Sequence, residues 1–408
     1  MEKYFPIKLE NISSSSDRDY YCSMKFQYLK IDLESRTTYN CHAAAPHSID
    51  MDWLEKNSGN LFNTDISINE RKMMLANQRN HSCEPNCWNA EDHGASSPRL
   101  YQQGNIRTHD QVTHYPEILD LAIGSDCNLT CSYCCKEFSS AWRKDLANNG
   151  SYAITDSDNR FQLTAFDRVM MKVSQPELKK SKHFNTLLNE VRLMAPRLKN
   201  LTITGGEPFL DNQLFDIITQ LPMHASAVIE IYTGLGVSES RFKKIIDKIQ
   251  HVPNLMLIIS AESTSKFFEF NRYGNIWNDF VSKIKYIKEK NINFQFHATI
   301  TNLTIFDFKN FVEYFSDNLV VSSFAYQPYF MAPYVLDEYS KNTIRLECEQ
   351  LSESYRSQIL QSIEATPTEQ QKNNCREFLI EFTNRRPNLS LEIFPPHFLK
   401  WLGLSHVV

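Results

Sequence analysis

The segment EILDLAIGSDCNLTCSYCCKEF, residues 117 to 138, constrains this chain more than any other. An apolar run ending at Ile123 opens into a short loop that carries Cys127, Cys131 and Cys134. Thiolates at C-x3-C-x2-C spacing can hold three corners of a cuboidal iron–sulfur cluster, and the fourth iron then has no protein ligand from the motif. An open iron is a place for chemistry. A structural zinc ion would need four N or S ligands in a closed tetrahedron, with Cys135 or a distant residue as the fourth. Disulfides suit this chain less well. Its start, MEKYFPIKLENISSSSDRDY, lacks the apolar core of a secretory signal, so a reducing compartment is expected. Cys135 reads as a spectator thiol.

A second motif follows at residues 201 to 208, LTITGGEP. Gly205 and Gly206 end a candidate buried strand, and glycine lets the backbone approach a ligand closely. Alone, GGEP is compatible with an ordinary turn. Together, CNLTCSYC at 127 to 134 and LTITGGEP resemble the cluster motif and glycine-rich strand end of radical S-adenosylmethionine (SAM) enzymes. SSAW at 139 to 142, FEFNRYGNIWNDF at 268 to 280 and HATITNL at 297 to 303 are similar to the twitch/SPASM-type branch.

The resemblance implies a [4Fe-4S] cluster on Cys127, Cys131 and Cys134, with SAM chelating the open iron. Reductive cleavage of SAM would give a 5′-deoxyadenosyl radical that takes a hydrogen atom from a substrate. By the same resemblance Gly205, Gly206, Glu207 and Pro208 lie at the methionine ammonium and Tyr133 near the adenine. Ser260, ending the strand in LIISAES, would meet the ribose, and Arg272 the SAM carboxylate, a task suited to a guanidinium fork. Thr233 and Gly234 stand where relatives often show Thr-Asn-Gly. An outside donor such as flavodoxin or ferredoxin would supply the electron.

Of the ten cysteines, Cys22, Cys41, Cys83 and Cys87 form a second group. The stretch CSMKFQYLKIDLESRTTYNC alternates with period 2, setting Leu29, Ile31 and Leu33 against Tyr28, Lys30 and Asp32, and predicts a hairpin with a cysteine near each end. A helix through ERKMMLANQ follows, with Ser67 and Glu70 read as its capping box. It leads to HSCEPNCWNAE and the remaining two cysteines. Four thiolates fit either a structural zinc or a closed [4Fe-4S] cluster, and spacing does not separate them. The arrangement resembles the auxiliary-cluster module of the twitch/SPASM branch, which implies iron–sulfur. Arg36 stands where that family usually has glycine, and the module precedes the catalytic segment where in many relatives it follows. His42, His47, His81 and His93 could each substitute for a cysteine in that set but read first as surface histidines, and the isolated Cys348 and Cys375 read as small buried hydrophobes.

The expected organisation is a lead-in at 1–20, a metal-cluster module at 21–99, a linker at 100–116, a barrel at 117–330 and a helical region at 331–408. In the barrel segment, candidate strands at 118–123, 201–204, 227–232, 255–260, 294–300 and 322–326 alternate with amphipathic stretches, the pattern of βα units. Six strands are fewer than the eight of a closed barrel, so an α/β fold built on a partial (β/α)6 TIM-like barrel is expected. Residues 136–180 form a long excursion of the kind that shapes substrate sites.

With 408 residues, 42% of them hydrophobic, two domains are expected. A net charge of −5 gives no general nucleic-acid footprint, and Lys179, Lys180 and Lys182 read as a solvated face. No apolar run nears the roughly 20 residues that span a bilayer. A soluble, cytoplasmic protein is expected. The reading that follows is a radical SAM enzyme acting on a ribosomally made peptide. The alternatives are oxidation of a small alcohol or sugar, or a non-catalytic iron–sulfur or zinc protein that carries electrons or scaffolds partners.

Overall fold

The structure is a computed structural model that describes residues 20–95, 97–101, 111–155, 159–164, 182–211 and 213–404. The expected lead-in, most of the linker, Lys179, Lys180 and part of the 136–180 excursion lie outside the described residues. Strands are β1 Tyr28–Asp32, β2 Thr37–Tyr39, β3 His47–Ser48, β4 Ile118–Ala122, β5 Thr130–Cys131, β6 Asn200–Thr204, β7 Val228–Thr233, β8 Leu255–Ser260, β9 Arg272–Tyr273, β10 Asn293–Ile300 and β11 Val320–Phe324. Two compact units form. The first takes Met1–Gly124, Pro176–Ile203 and Gln220–Ile229, and the second Ser125–Gln175, Thr204–Thr219 and Glu230–Val408.

In the first unit the predicted hairpin is present. β1 runs antiparallel to β2, with Lys30 opposite Tyr39 and Asp32 opposite Thr37. Its other edge pairs in parallel with β4, from Tyr28 opposite Ile118 to Asp32 opposite Ala122. The alternation read in the sequence buries Leu29 and Ile31 fully. Between the hairpin strands, the Asp32 carboxylate accepts the amides of Glu34 and Ser35, and Arg36 takes a φ of 55°. A glycine would adopt that conformation without strain, so the backbone demand is present although the residue is arginine.

Helix α1, Met24–Gln27, precedes β1, and α2, Asp65–Leu75, follows the hairpin. The cap of α2 departs from the sequence reading. Thr64 is the N-cap and its hydroxyl accepts the Ser67 amide, three residues before the expected start. Glu70 cannot close a box with Ser67, because its carboxylate is drawn inward to the buried Lys25 ammonium at 2.7 Å.

In the second unit β8, β10 and β11 are parallel, with Ser260 opposite His297 and Ile300 opposite Phe324. Helices separate them in the order the periodicity predicts. Glu239–Ile249 buries Phe242, Ile245, Ile246 and Ile249, the i, i+3, i+4, i+7 stripe of a core-facing helix. Trp277–Glu289 and Phe308–Tyr314 repeat the pattern. All six strands expected between residues 118 and 326 are present. Parallel strands alternating with helices make this a mixed α/β protein with a partial TIM-like barrel.

The C-terminal region resolves into helices Glu338–Cys348, Glu353–Ser362 and Glu369–Asn384. The last starts at a capping box made by Thr368 and Gln371. It presses Phe378 and Phe382 into an aromatic cluster with Trp142, Tyr152 and Phe161, at ring separations of 5.3 to 5.9 Å. The sequence shows no motif there, because aromatic packing needs only shape.

Candidate functional site

Helix α3, Ser140–Asn149, begins directly after the cysteine loop, and the first turn of that helix holds the loop in shape. Ser139 caps it by accepting the Trp142 amide, and its hydroxyl donates to the Leu129 carbonyl at 2.8 Å. The Ser140 hydroxyl accepts the Cys127 amide and donates to the Cys127 carbonyl, at 3.1 and 3.0 Å. The Trp142 indole donates to the Cys131 carbonyl at 3.0 Å. On its other side the loop forms a two-residue ribbon, β5 against β9, that sets Cys131 opposite Arg272. The Ser132 amide donates to the Asn271 carbonyl.

Cys131 is buried, while Cys127 and Cys134 are half-buried. Burial pushes the Cys127 thiol up to about 12 and Cys131 up to about 11, the latter against the pull of the Arg272 charge. Cys134 is raised by burial and by its cysteine neighbours. Such thiols keep their protons until a metal displaces them. Cys135 is 1% exposed, and its carbonyl accepts the Phe138 and Ser139 amides, so its backbone closes the turn.

The GGEP turn docks on this loop. The Glu207 amide donates to the Asp126 carbonyl at 2.7 Å, and a Cβ at Gly206 would overlap that same carbonyl. Gly205 sits at φ 149°, a conformation L side chains rarely adopt. The residue pair is therefore required for the approach. Glu207 itself is buried, and its carboxylate accepts the Thr233 hydroxyl at 2.6 Å and the amides of Gly234, Gly236 and Phe209. It acts as a strut that fixes the 233–236 loop, where Thr233 and Gly234 lie. Pro208 begins the short helical turn that follows.

Arg272 forms a two-point ion pair with Glu262, at 3.1 and 2.6 Å, and both are buried. The Tyr133 hydroxyl donates to the same carboxylate at 3.0 Å, and the guanidinium lies over the Tyr133 ring. Arg272 thus already has a carboxylate partner, which the sequence reading missed. A charged residue two positions past the apolar run LIIS was the available signal. Ser260 is half-buried at the end of β8. Just beyond β8 and β10, Ser263 Oγ and Asn302 Oδ1 are buried without a hydrogen-bond partner. Barrel ligands bind at such strand ends, and unsatisfied buried polar atoms there suit a polar ligand.

In the first unit, Cys22, Cys41, Cys83 and Cys87 are all buried, none is in a disulfide, and together they line one cavity. Two buried cations, Lys25 and Arg99, share the lining. Burial, then the charge of Cys41, pushes the Cys22 thiol up to about 12, and Cys83 rises to about 11. Among the described residues no three His, Cys, Asp or Glu side chains lie close enough to hold a single metal ion. The donor set of four thiols on one cavity fits a four-thiolate cofactor. His42, His81 and His93 are exposed and His47 is half-buried, 3.3 Å from Glu70.

Residues 121–315 match the sequence profile of the radical SAM superfamily. No curated protein matches the chain. Among solved structures it is similar to native anSMEcpe with bound AdoMet, at 14% identity over 50% of each chain and a TM-score of 0.30. It is also similar to SuiB of Streptococcus suis, at 14% identity over 83% of this chain and 70% of that one, with a TM-score of 0.34. The chain spans about half the length of anSMEcpe. A domain of the matched superfamily implies a [4Fe-4S] cluster and SAM, and the partly buried three-cysteine loop locked to a glycine turn suits both. Over residues 121–315, this chain carries a domain of the radical SAM superfamily of enzymes.

Proposed function

We propose that the chain cleaves SAM reductively at a cluster on Cys127, Cys131 and Cys134 and uses the resulting radical to take a hydrogen atom from a substrate. One observation carries this reading: the loop of three cysteines is bonded through Asp126 to the GGEP turn, so ligand-approachable backbone lies beside the thiols. The bound cluster would supply one electron to break the C5′–S bond of SAM, and the protein binds, orients and shields. Ser139, Ser140 and Trp142 fix the loop carbonyls. Gly205 and Gly206 present backbone to the methionine end, and Glu207 holds the 233–236 loop in place. Tyr133 and Arg272, tied through Glu262, form the wall next to Cys131. Ser260 and the unsatisfied Ser263 Oγ and Asn302 Oδ1 offer polar atoms at the strand ends.

The substrate proposed is a ribosomally made peptide, and a flavodoxin or ferredoxin is the proposed electron donor. The resemblance of the module and of SSAW to the twitch/SPASM branch supports the peptide. So do the exposed aromatics Phe138, after the cysteine loop, and Tyr326 and Tyr329, after β11. Cys22, Cys41, Cys83 and Cys87 would hold a second [4Fe-4S] cluster whose four thiolates leave no open iron. Anaerobically reconstituted, reduced protein given SAM should release 5′-deoxyadenosine. Cys83→Ala/Cys87→Ala should keep that release while losing about four irons per chain. No 5′-deoxyadenosine from reduced, iron-replete protein would overturn the reading. Zinc at the second site would make that module a structural staple.

A further inference from the structure

We propose that Lys25 raises the reduction potential of the second cluster; this rests on the iron–sulfur reading of Cys22, Cys41, Cys83 and Cys87. Lys25 has no exposed surface and lines the cavity those four cysteines share. A lysine ammonium has three N–H donors. Two are used, on Glu70 at 2.7 Å and on the Ser82 hydroxyl at 2.6 Å. The third has no partner among the described residues.

A buried cation with a spare donor beside four thiolates stabilises whichever cluster state carries more negative charge. Reduction adds one electron, so the reduced state gains most and the potential rises. Arg99 lies on the same cavity, but its guanidinium is held in a two-point pair by the buried Glu91, at 3.0 and 2.5 Å. Lys25 meets its carboxylate through one oxygen only. Glu70 sets how much of the lysine charge the cavity feels. It is also held by Asn40 at 3.1 Å and lies near His47.

The test is a potentiometric titration of the full-length, iron-loaded protein followed by electron paramagnetic resonance. The second-site signal is identified as the one missing from Cys83→Ala/Cys87→Ala. Lys25→Met should weaken one-electron reduction of that site at least tenfold, a fall of about 59 mV. Glu70→Gln, which leaves the ammonium uncompensated, should move the potential the other way. Loosened packing would not give opposite signs. If Lys25→Met fails to fold, the sign for Glu70→Gln decides: a rise supports the inference, and no change or a fall overturns it. About eight irons per chain retained, with an unmoved second-site potential in Lys25→Met, would overturn the inference alone. Zinc at the site would overturn the cluster reading and the inference together.

Discussion

Cys134 and Cys135 are neighbours with opposite expected fates. Cys127, Cys131 and Cys134 lie on the loop that Ser140 and Trp142 hold, while the Cys135 backbone closes the turn behind them. Replacing any of the three by Ala should abolish SAM cleavage and lose about four irons, whereas Cys135→Ser should retain both; iron analysis with product chromatography checks this, and equal loss in Cys135→Ser would refute it. Glu207→Ala strands four donors, three of them amides. Each buried group left unsatisfied costs about 1–3 kcal/mol, so the variant should unfold at a clearly lower denaturant concentration and bind SAM weakly. Glu207→Gln, which keeps acceptor oxygen, should fall between it and the parent. The cysteines and glycines were legible because their chemistry depends on spacing along the chain. The Glu262–Arg272–Tyr133 network was not, because a buried ion pair forms only once the fold removes water from charges that sequence patterning treats as exposed.

At the scale of elements, the start of α3 matters most to the site. Ser140→Ala removes two hydrogen bonds to the Cys127 backbone. It should cost roughly 1–2 kcal/mol of stability yet shed iron faster than the parent during chelator challenge; equal iron retention would show the loop is held by other means. Helix Glu369–Asn384 supports the same place from outside, through Phe382 on Trp142. Phe378→Ala should destabilise by about 3–5 kcal/mol, seen as a lower melting temperature, because its ring packs on Tyr152 and Phe161. Helix Glu239–Ile249 was readable as one of the amphipathic stretches because its stripe Phe242, Ile245, Ile246 and Ile249 is a local signal. The α2 cap was not: Thr64 and Ser67 are both good caps, and the demand of Lys25 for Glu70 is a tertiary effect. Aromatic packing by the C-terminal helices left no local signal either.

For the whole molecule, the alternation of strands and helices was enough to give the partial barrel. What it concealed is that β1, read as part of a separate cysteine-rich hairpin, adds in parallel to β4, the strand that feeds the cysteine loop. Period-2 alternation shows which residues of a strand are buried and is silent about its partner. None of the described helices is long and apolar enough to cross a membrane. The central claim is that the 127–134 loop holds a cluster with one iron open to SAM. It is tested most directly in full-length Cys83→Ala/Cys87→Ala protein, where only that cluster remains, by recording the electron paramagnetic resonance spectrum of the reduced state with and without SAM. Direct coordination should change the g-values of the signal on adding SAM. An unchanged spectrum at saturating SAM, from protein carrying about four reduced irons per chain, would contradict the account.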